Sequence, residues 1–150
     1  MSAMPAITSF KGEFHFLSNF YVLPKPIEFE GLLYATTEHA FQAAKTIDTK
    51  EREKIRDAGS PGQAKRLGRK VKLRPGWDDM RVMVMHSICW TKFEHPNLRR
   101  WLLETGDAEL IEGNDWKDVF WGTVNGKGEN QLGKTLMAIR ALIRGSEHGR

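Results

Sequence analysis

Three helix-start signals follow one another between residues 36 and 68, and they restrict the fold more than any other feature of the sequence. Each signal is a short side chain that accepts a hydrogen bond from the first turn of a helix: Thr36 or Thr37, Asp48, and Ser60. A Glu or Gln stands three residues after Asp48 and after Ser60, which is the spacing of a capping box. Three short helices are therefore predicted over about 36–47, 48–59 and 60–68.

A strand pair and three further helices complete the predicted secondary structure. In IEFEGLLY, residues 27–34, apolar residues alternate around Gly31, which indicates two short paired strands. Apolar residues at helical spacing predict the later helices, which run from about Trp77 to Phe93, from Asn97 to Gly106, and from Leu132 to Gly145. The inward face of the first of these is predicted to be Met80, Met83, Val84, Ser87 and Ile88. Two strand-like runs and an Asn125-Gly126 turn are predicted before the last helix.

These elements predict an α+β fold, a single compact and mostly helical domain with a small antiparallel sheet. The length of 150 residues fits one domain, which we predict to span 1–150 with a core of about 12–145. A domain of this size buries a core without covalent links. The single cysteine, Cys89, excludes an internal disulfide and suits a reducing compartment.

The charge of the chain favours an anionic partner. The net charge is +4 and the sequence pI about 9.3, which suits phosphates or nucleic acid, although solubility explains it equally well. The basic residues are spread from Lys11 to Arg150 without a dense block. No apolar run approaches the roughly 18–20 residues of a membrane helix, and the first residues lack a signal-peptide pattern. We therefore expect a cytoplasmic protein with no membrane partner, no metal and no cofactor.

The stretch TTEHAFQAAK, residues 36–45, places Glu38, Gln42 and Lys45 on one face of the first helix. One interpretation is a solvent-exposed polar face without a role in chemistry. The other is a carboxylate and an amine in one cleft, where a deprotonated lysine attacks a carbonyl or an opened sugar carbon and forms a Schiff base. A desolvating pocket would favour loss of the lysine proton, whereas an ionised Glu38 would oppose it. Glu38 then suits proton transfer better than a fixed salt bridge.

A second candidate stretch is NDWKDVFWG, residues 114–122, which combines acids with indole rings. The acids are Asp115 and Asp118, and the indoles are Trp116 and Trp121. Flat rings beside acids suit recognition of a base or a sugar, and buried aromatics on a strand are the structural alternative.

A third candidate is LSNFY, residues 17–21, where Asn19 and Phe20 are predicted to lie in a turn. Asn19 would hydrogen-bond to a ligand and Phe20 would stack on it. A tight turn with a core phenylalanine explains the same residues.

Six motifs, in this order, resemble those of the NADAR family, also called YbiA-like. They are FLSNFY, ATTEHAFQAAK, AKRLGRKVKLRPGWDDMRVMVM, KFEHPNLRRWLLETGDAELIEGN, DVFWG and GENQLGKTLMAIR. The resemblance runs from about Phe14 to Ile143 and implies a compact α+β domain. It also implies an N-glycosidase, which cleaves the bond between a ribosyl carbon and a nitrogen. The implied substrates are ADP-ribose attached to guanine in nucleic acid or nucleoside, and the phosphoribosylamino-pyrimidine intermediates of riboflavin synthesis. Both are anionic.

The resemblance also assigns residue roles. Glu38, Gln42 and Lys45 match the family's signature helix, which implies an active-site role for them. In EGNDWKD the chain departs from the family, which often has fewer bulky residues before its DxxWG, so Asp118 matches better than Asp115. The predicted catalytic residues are Glu38, Lys45 and Asp118. The predicted substrate contacts are Asn19, Phe20, Gln42, Arg69, Trp90, Trp121 and Asn130, with Arg69 directed at a phosphate.

Two chemistries fit these residues. In the first, Lys45 attacks C1 of the ribose, water hydrolyses the Schiff base, Glu38 moves protons and Asp118 orients or assists. In the second, Glu38 and Asp118 act as a glycosidase pair, and Lys45 only holds a phosphate or hydroxyl. We favour the first, because a lysine beside a carboxylate suits imine chemistry. A non-catalytic module that binds ADP-ribose or a nucleotide, and a basic nucleic-acid-binding domain, are alternatives of another class.

Overall fold

The computed structural model describes residues 4–148, and these form six α-helices, one β-hairpin and a short 3-10 helix. In chain order, the elements are the 3-10 helix Gly12–Leu17, β1 Ile27–Phe29, β2 Leu32–Tyr34, α1 Thr37–Ala44, α2 Thr49–Arg56, α3 Pro61–Gly68, α4 Trp77–Lys92, α5 Pro96–Glu104 and α6 Gln131–His148. Strands β1 and β2 are antiparallel. The prediction of a mostly helical α+β fold with a small antiparallel sheet is confirmed. None of the described helices is long and apolar enough to span a membrane.

The chain divides into two compact units. One unit is Asn19–Lys92, which holds β1, β2 and α1 to α4. The other combines Met1–Ser18 with Phe93–Arg150, and its described elements are the 3-10 helix, α5 and α6. A single domain over 1–150 stays a prediction.

All three predicted helix starts are confirmed by their capping hydrogen bonds. The hydroxyl of Thr36 accepts from the amide of His39 at 3.0 Å. The carboxylate of Asp48 caps α2 in the same way, and the hydroxyl of Ser60 caps α3. The predicted ends of the first two helices are too late, because α1 ends at Ala44 and α2 at Arg56. At the end of α1, the carbonyl groups of Ala44 and Lys45 accept hydrogen bonds from Arg74, a distant partner that the sequence pattern does not reveal.

The hairpin turns at Glu30 and Gly31, whose φ angles are both positive at 47° and 94°. A two-residue hairpin loop with a type I′ turn requires positive φ angles at two successive residues. Ile27 pairs with Tyr34 across the strands, and both side chains are buried. The hairpin contacts α1, α2 and α4 within its unit, so it covers one side of α1.

The predicted inward face of α4 is confirmed at Val84 and Ile88 and wrong at Met83 and Ser87. Met83 is 75% exposed and Ser87 is also exposed. The buried residues of α4 are Trp77, Val84, Met85, Ile88, Cys89 and Lys92. Apolar residues occur nearly all around the first half of this helix, so periodicity did not fix which side packs inward. Packing against α1 and β1 selects the face that contains Met85.

In the unit that includes α5 and α6, the predicted core residues are mostly confirmed. Leu98 and Leu102 of α5 are buried. Trp101 is half-buried and meets Phe16 edge to face, with ring centroids 5.6 Å apart. The cap of α5 is His95 instead of Asn97, since the His95 ring accepts from the Asn97 amide.

Helix α6 buries the four residues predicted from its spacing, namely Leu132, Leu136, Ile139 and Ile143. It continues through Gly145 to His148, so the predicted stop at Gly145 is wrong. Open space surrounds Gly145, and its backbone stays helical without a side chain to pack. Over 109–131 the structure has isolated bridges in place of the predicted strands, and the Asn125-Gly126 turn is confirmed between Val124 and Lys127.

Candidate active site

Helix α1 is buried on every side. All eight of its residues are inaccessible or nearly so, including Glu38 at 7% exposure and Gln42 at 4%. The interpretation of TTEHAFQAAK as a solvent-exposed polar face is therefore wrong. Glutamate is rarely buried unless a partner or a function holds it there. Within the Asn19–Lys92 unit, α2, α3 and α4 all pack against this helix.

Glu38, Gln42 and Asn19 form a connected polar group. Gln42 Nε2 donates a hydrogen bond to Glu38 Oε2 at 2.6 Å. The backbone amide of Glu38 donates to the Asn19 carbonyl at 3.0 Å, which fixes the LSNFY turn to the start of α1. The Asn19 side-chain amide donates to the sulfur of Met85 at 3.6 Å. The predicted residues Asn19, Glu38 and Gln42 are thus brought together.

Two oxygens of this group have no hydrogen-bond partner among the described residues. They are Asn19 Oδ1 and Gln42 Oε1, and both are buried. A buried acceptor without a partner is uncommon, because losing the hydrogen bond to water is costly. The two oxygens therefore each keep an unused capacity to accept a hydrogen bond.

Gly68 shapes the surroundings of Gln42. A Cβ atom added at Gly68 would overlap Gln42 Oε1 and lie 2.8 Å from its Cδ. The last turn of α3 therefore approaches α1 closely only because residue 68 lacks a side chain. This contact sets the position of the Gln42 amide and, through it, the position of the Glu38 carboxylate.

Lys45 is half-buried at the C-terminal cap of α1. Burial lowers the pKa of its amine, since the charged form loses hydration. The carboxylate of Glu38 raises the pKa, and the positive charges of Arg69, Lys65 and Arg81 lower it further. The net direction is downward, so a larger fraction of Lys45 is neutral and nucleophilic than for an exposed lysine.

The end of α1 that carries Lys45 is held by two arginines. The Lys45 carbonyl accepts from the backbone amide of Arg74 at 2.7 Å, and the Arg74 guanidinium donates to the Ala44 carbonyl at 3.3 Å. Arg52 donates to the Thr46 carbonyl at 2.6 Å. These bonds satisfy the last carbonyl groups of the helix and fix the backbone of Lys45.

Both guanidinium groups also bind the Glu30 carboxylate at the hairpin tip. Arg52 is 2.9 Å and Arg74 is 3.1 Å from Glu30 Oε1. Burial raises the pKa of Glu30, but the hydrogen bonds from Arg74 and Arg52 outweigh it, so the pKa is lowered overall. Glu30 is thus charged at neutral pH and holds the two arginines in place. The sequence pattern gave no reason to select it.

The other predicted contacts of the same unit lie at its surface. Phe20 and Trp90 are each 38% exposed, which leaves part of each ring open for stacking. Arg69 is exposed at the C-terminal cap of α3, directly after Gly68. The structure thus leaves these three side chains accessible to a ligand, and their roles stay predictions.

Asp118, Trp121 and Asn130 belong to the other unit. Asp118 Oδ1 accepts from the amides of Phe120 and Trp121, at 3.1 and 2.9 Å, so this oxygen shapes the local turn. Trp121 is half-buried and meets the Phe120 ring edge to face. A catalytic role for Asp118 stays a prediction. Its Oδ2 atom, which accepts neither of these two hydrogen bonds, would be the oxygen that fills that role.

The side chain of Asn130 is used within the fold. Its Oδ1 accepts from the Glu112 amide at 3.0 Å, and its Nδ2 donates to the Leu110 carbonyl at 2.9 Å. Asn130 is buried with a positive φ of 52°, a conformation that asparagine tolerates better than most residues. This geometry supports a structural role, and a substrate contact by Asn130 stays a prediction.

Lys92 is an ionisable residue that the sequence reasoning missed. Its side chain is 1% exposed on the buried face of α4, and burial lowers its pKa to about 8. Its amine lies 5.8 Å from the centre of the Tyr21 ring. Burial also raises the pKa of the neighbouring Cys89 thiol to about 11. The sequence signal for its burial is its position four residues after Ile88, which places both residues on the same buried side of α4.

No group of three or more His, Cys, Asp or Glu side chains within the described part of the chain is placed to hold a metal ion.

Comparison with known proteins decides the family. The NADAR domain profile matches residues 8–144. The chain belongs to the NADAR family. It is 43% identical over 122 residues to the N-glycosidase YbiA of Shigella boydii, which covers 79% of this chain and 76% of that protein. A riboflavin biosynthesis protein of Vibrio vulnificus is 42% identical over 133 residues, covering 86% of this chain and 35% of that protein.

A solved structure supports the same assignment. The NMR structure of YbiA from Escherichia coli superposes with a TM-score of 0.85 at 36% identity, covering 99% of this chain and 91% of that one. The resemblance inferred from the six motifs is thereby confirmed for this NADAR chain.

Proposed function

We propose that this NADAR chain is an N-glycosidase that hydrolyses a ribosyl C1–N bond and removes ADP-ribose from guanine. The N-glycosidase activity is that of the YbiA relative, which matches most of the chain. The finer assignment, to ADP-ribose on guanine in nucleic acid or nucleoside, is our own. The observation that carries the catalytic part is the half-buried Lys45 amine with a lowered pKa, next to the buried Glu38–Gln42 pair.

In the proposed first step, the neutral Lys45 amine forms a bond to C1 of the ribose. The electron pair of the C1–N bond goes to the guanine nitrogen, which takes a proton and leaves. Lys45 then loses a proton, the ring oxygen gains one, and the opened sugar carries a C1=N imine on Lys45. In the second step, water adds to C1, the amine leaves with its proton, and the sugar closes to its hemiacetal. Overall, one water molecule is consumed.

Glu38 is proposed to move the protons of both steps. Its carboxylate is held by the Gln42 amide at 2.6 Å, so its position is fixed before the substrate binds. The unpartnered oxygens Asn19 Oδ1 and Gln42 Oε1 are proposed to accept hydrogen bonds from ribose hydroxyls. Phe20 and Trp90 are proposed to stack on the base or the adenine ring. The family resemblance alone supports the roles proposed for Asp118 and Trp121, which belong to the other unit.

The test is release of ADP-ribose from an oligonucleotide that carries it on guanine. The wild-type protein is compared with Lys45→Ala and Glu38→Ala, and with Lys50→Ala as a matched control, since Lys50 is an exposed lysine of α2. We expect release by the wild type and the control, and none by the two site variants at unchanged circular dichroism. Full activity of Lys45→Ala would reject the amine mechanism and favour the glycosidase pair.

The second candidate substrate is a phosphoribosylamino-pyrimidine, and the observation that favours it is the similarity to a riboflavin biosynthesis protein. The same variants are assayed on this compound if the wild type leaves the oligonucleotide unchanged. Turnover there would replace the guanine assignment and keep the N-glycosidase one. Binding of ADP-ribose without turnover of either substrate would favour a non-catalytic binding module.

A further inference from the structure

We propose that Glu30 is a positioning residue for the reaction, because its carboxylate, acting through Arg52 and Arg74, holds the backbone at Lys45 in the orientation from which the amine attacks. Since Lys45 is the nucleophile only in the proposed function, this role of Glu30 rests on that function. It extends the function by assigning part of the catalytic geometry to the tip of the hairpin, which takes no part in the proposed chemical steps.

Three successive carbonyl groups around Lys45 accept hydrogen bonds from two arginines. The Nε atom of Arg52 donates to the Thr46 carbonyl at 2.6 Å, and the Nη1 atom of Arg74 donates to the Ala44 carbonyl at 3.3 Å. The Lys45 carbonyl, between these two, accepts from the backbone amide of Arg74 at 2.7 Å. The orientation of these peptide groups sets the direction in which the Lys45 side chain leaves the backbone.

One carboxylate oxygen joins the two guanidinium groups. Glu30 Oε1 lies 2.9 Å from Arg52 Nη2 and 3.1 Å from Arg74 Nη1. The two arginine side chains are mostly buried, at 12% and 18% exposure, whereas that of Glu30 is 43% exposed. Charge-assisted hydrogen bonds to a shared oxygen restrict the rotamers of both long side chains. The carboxylate therefore keeps both donors directed at the carbonyl groups of residues 44 and 46.

The groups that meet at Glu30 come from separate elements of the same unit. Arg52 lies in α2, and Arg74 lies between α3 and α4. The Arg74 carbonyl also accepts from the amide of Trp77, the first residue of α4. The carboxylate thus ties the hairpin, α2 and the start of α4 to the end of α1. Misplacing a reacting group by about 1 Å can cost about 10²-fold in rate, so a loss of this connection should be visible in turnover.

The backbone at Glu30 shows that a glutamate at this position is not the residue that the turn itself favours. Its φ angle is 47°, and Gly31 follows with a φ of 94°. At the first of two such positions, a type I′ turn favours asparagine, aspartate or glycine over other residues. An asparagine would suit the turn better, but its side chain is shorter and uncharged. The longer carboxylate is what reaches both arginines, at the expense of the local backbone preference.

The first test measures steady-state kinetics on whichever of the two candidate substrates the wild type hydrolyses. Glu30→Gln keeps the length of the side chain and removes the charge, which weakens both bonds to the arginines. Asp57→Asn is the matched control, because Asp57 is an exposed acid that pairs with Arg56 at the end of α2, at 2.9 Å. We expect kcat to fall roughly tenfold in Glu30→Gln with KM within about twofold, and the control to match the wild type.

A second variant, Glu30→Asn, separates positioning from stability. Because asparagine suits the turn, the Tm of this variant should lie closer to the wild type than that of Glu30→Gln. Its kcat should nevertheless be at least as low, because its short amide does not reach both arginines. If kcat followed Tm across the two variants, or if kcat stayed at the wild-type value, Glu30 would be a structural residue and the proposal would be overturned.

Amide hydrogen exchange tests the hold on the backbone without any substrate. The Lys45 amide donates to the Gln42 carbonyl and the Thr46 amide to the Ala43 carbonyl, both at 3.3 Å. We expect both amides to exchange roughly tenfold faster in the two Glu30 variants, because the carbonyl groups around them lose their fixed donors.

This measurement also distinguishes a failure of the positioning role from a failure of the proposed function. If the wild type hydrolyses neither substrate, the proposed function fails, and faster exchange in the Glu30 variants with unchanged exchange in Asp57→Asn still supports the hold of Glu30 on the Lys45 backbone. Unchanged exchange in the Glu30 variants, or equally fast exchange in the control, would overturn the role of Glu30, whatever the enzyme hydrolyses.

Discussion

Replacing Lys92 by methionine should make the protein more stable at neutral pH. The amine is 1% exposed, and burial lowers its pKa from 10.5 to about 8. One pKa unit corresponds to about 1.4 kcal/mol, so keeping the buried amine charged costs about 3 kcal/mol. The contacts of the charged amine, among them the one with the Tyr21 ring at 5.8 Å, offset about 1 kcal/mol of this. Methionine fills a similar volume without a charge, so Lys92→Met should gain about 2 kcal/mol, or roughly 4–8 °C in Tm.

The stability difference between Lys92→Met and the wild type should depend on pH in a specific direction. Below about pH 8, Lys92 is protonated in both the folded and the unfolded chain, and the whole cost of burying the charge is present. Between about pH 8 and 10.5 the folded protein releases the proton first, so wild-type stability rises relative to the variant. Above pH 10.5 the amine is neutral in both states, and the advantage of Lys92→Met should vanish.

The assay is urea unfolding at a series of pH values from 6 to 11, with Lys50→Met as the control. Lys50 is an exposed lysine of α2, so its replacement should change the free energy of unfolding little and without this pH trend. A loss of stability in Lys92→Met at pH 7, or an advantage that grows with pH, would refute the reasoning. Either result would mean that the contacts of the charged amine outweigh its desolvation.

Three further predictions concern the residues around Lys45. Borohydride added during turnover should trap the substrate on the tryptic peptide containing Lys45, and Lys45→Arg should abolish both trapping and turnover, since arginine forms no Schiff base. Gly68→Ala should lower kcat/KM and destabilise the fold by about 1–3 kcal/mol, because its Cβ overlaps Gln42, whereas Gly62→Ala, with its nearest atoms at 3.9 Å, should do neither. Glu30→Gln should cost about 1 kcal/mol at pH 7 in thermal unfolding. Because the folded pKa of Glu30 is lowered, that difference should shrink as the pH falls through its ordinary value of 4.5 and below.

Local signals in the sequence predicted the elements of this protein better than their packing. The caps at Thr36, Asp48 and Ser60 and the strand pair around Gly31 were predicted because each depends on a few neighbouring residues. The inward face of α4 was predicted only in part, because apolar residues occur around the helix and only contact with other elements decides which of them are buried. Caps and turns depend on a few neighbouring residues, whereas the buried face of a helix depends on contacts with elements that are distant in the sequence.

In the candidate site, too, the local features were predicted from the sequence and the contacts between distant residues were not. The spacing of Glu38, Gln42 and Lys45 predicted their shared helix face, but it did not predict that the whole helix is buried. Glu30 and Gly68 act on this helix from other elements, and their roles depend on contacts between residues distant in sequence. Lys92 was missed although it lies four residues after Ile88, a buried residue of the predicted inward face.

The properties of Lys45 follow from the shortness and the anchoring of α1. A helix of eight residues is not stable alone, so its geometry is set by what holds its two ends. At the start, the His39 ring bridges the Thr36 hydroxyl, at 2.8 Å, and the Ala58 carbonyl, at 3.0 Å. At the other end, Arg74 and Arg52 bind the last carbonyl groups. Because both ends are fixed by neighbouring elements, the backbone of Lys45 is held where burial lowers the pKa of its amine, which is the direction that the proposed nucleophilic attack requires.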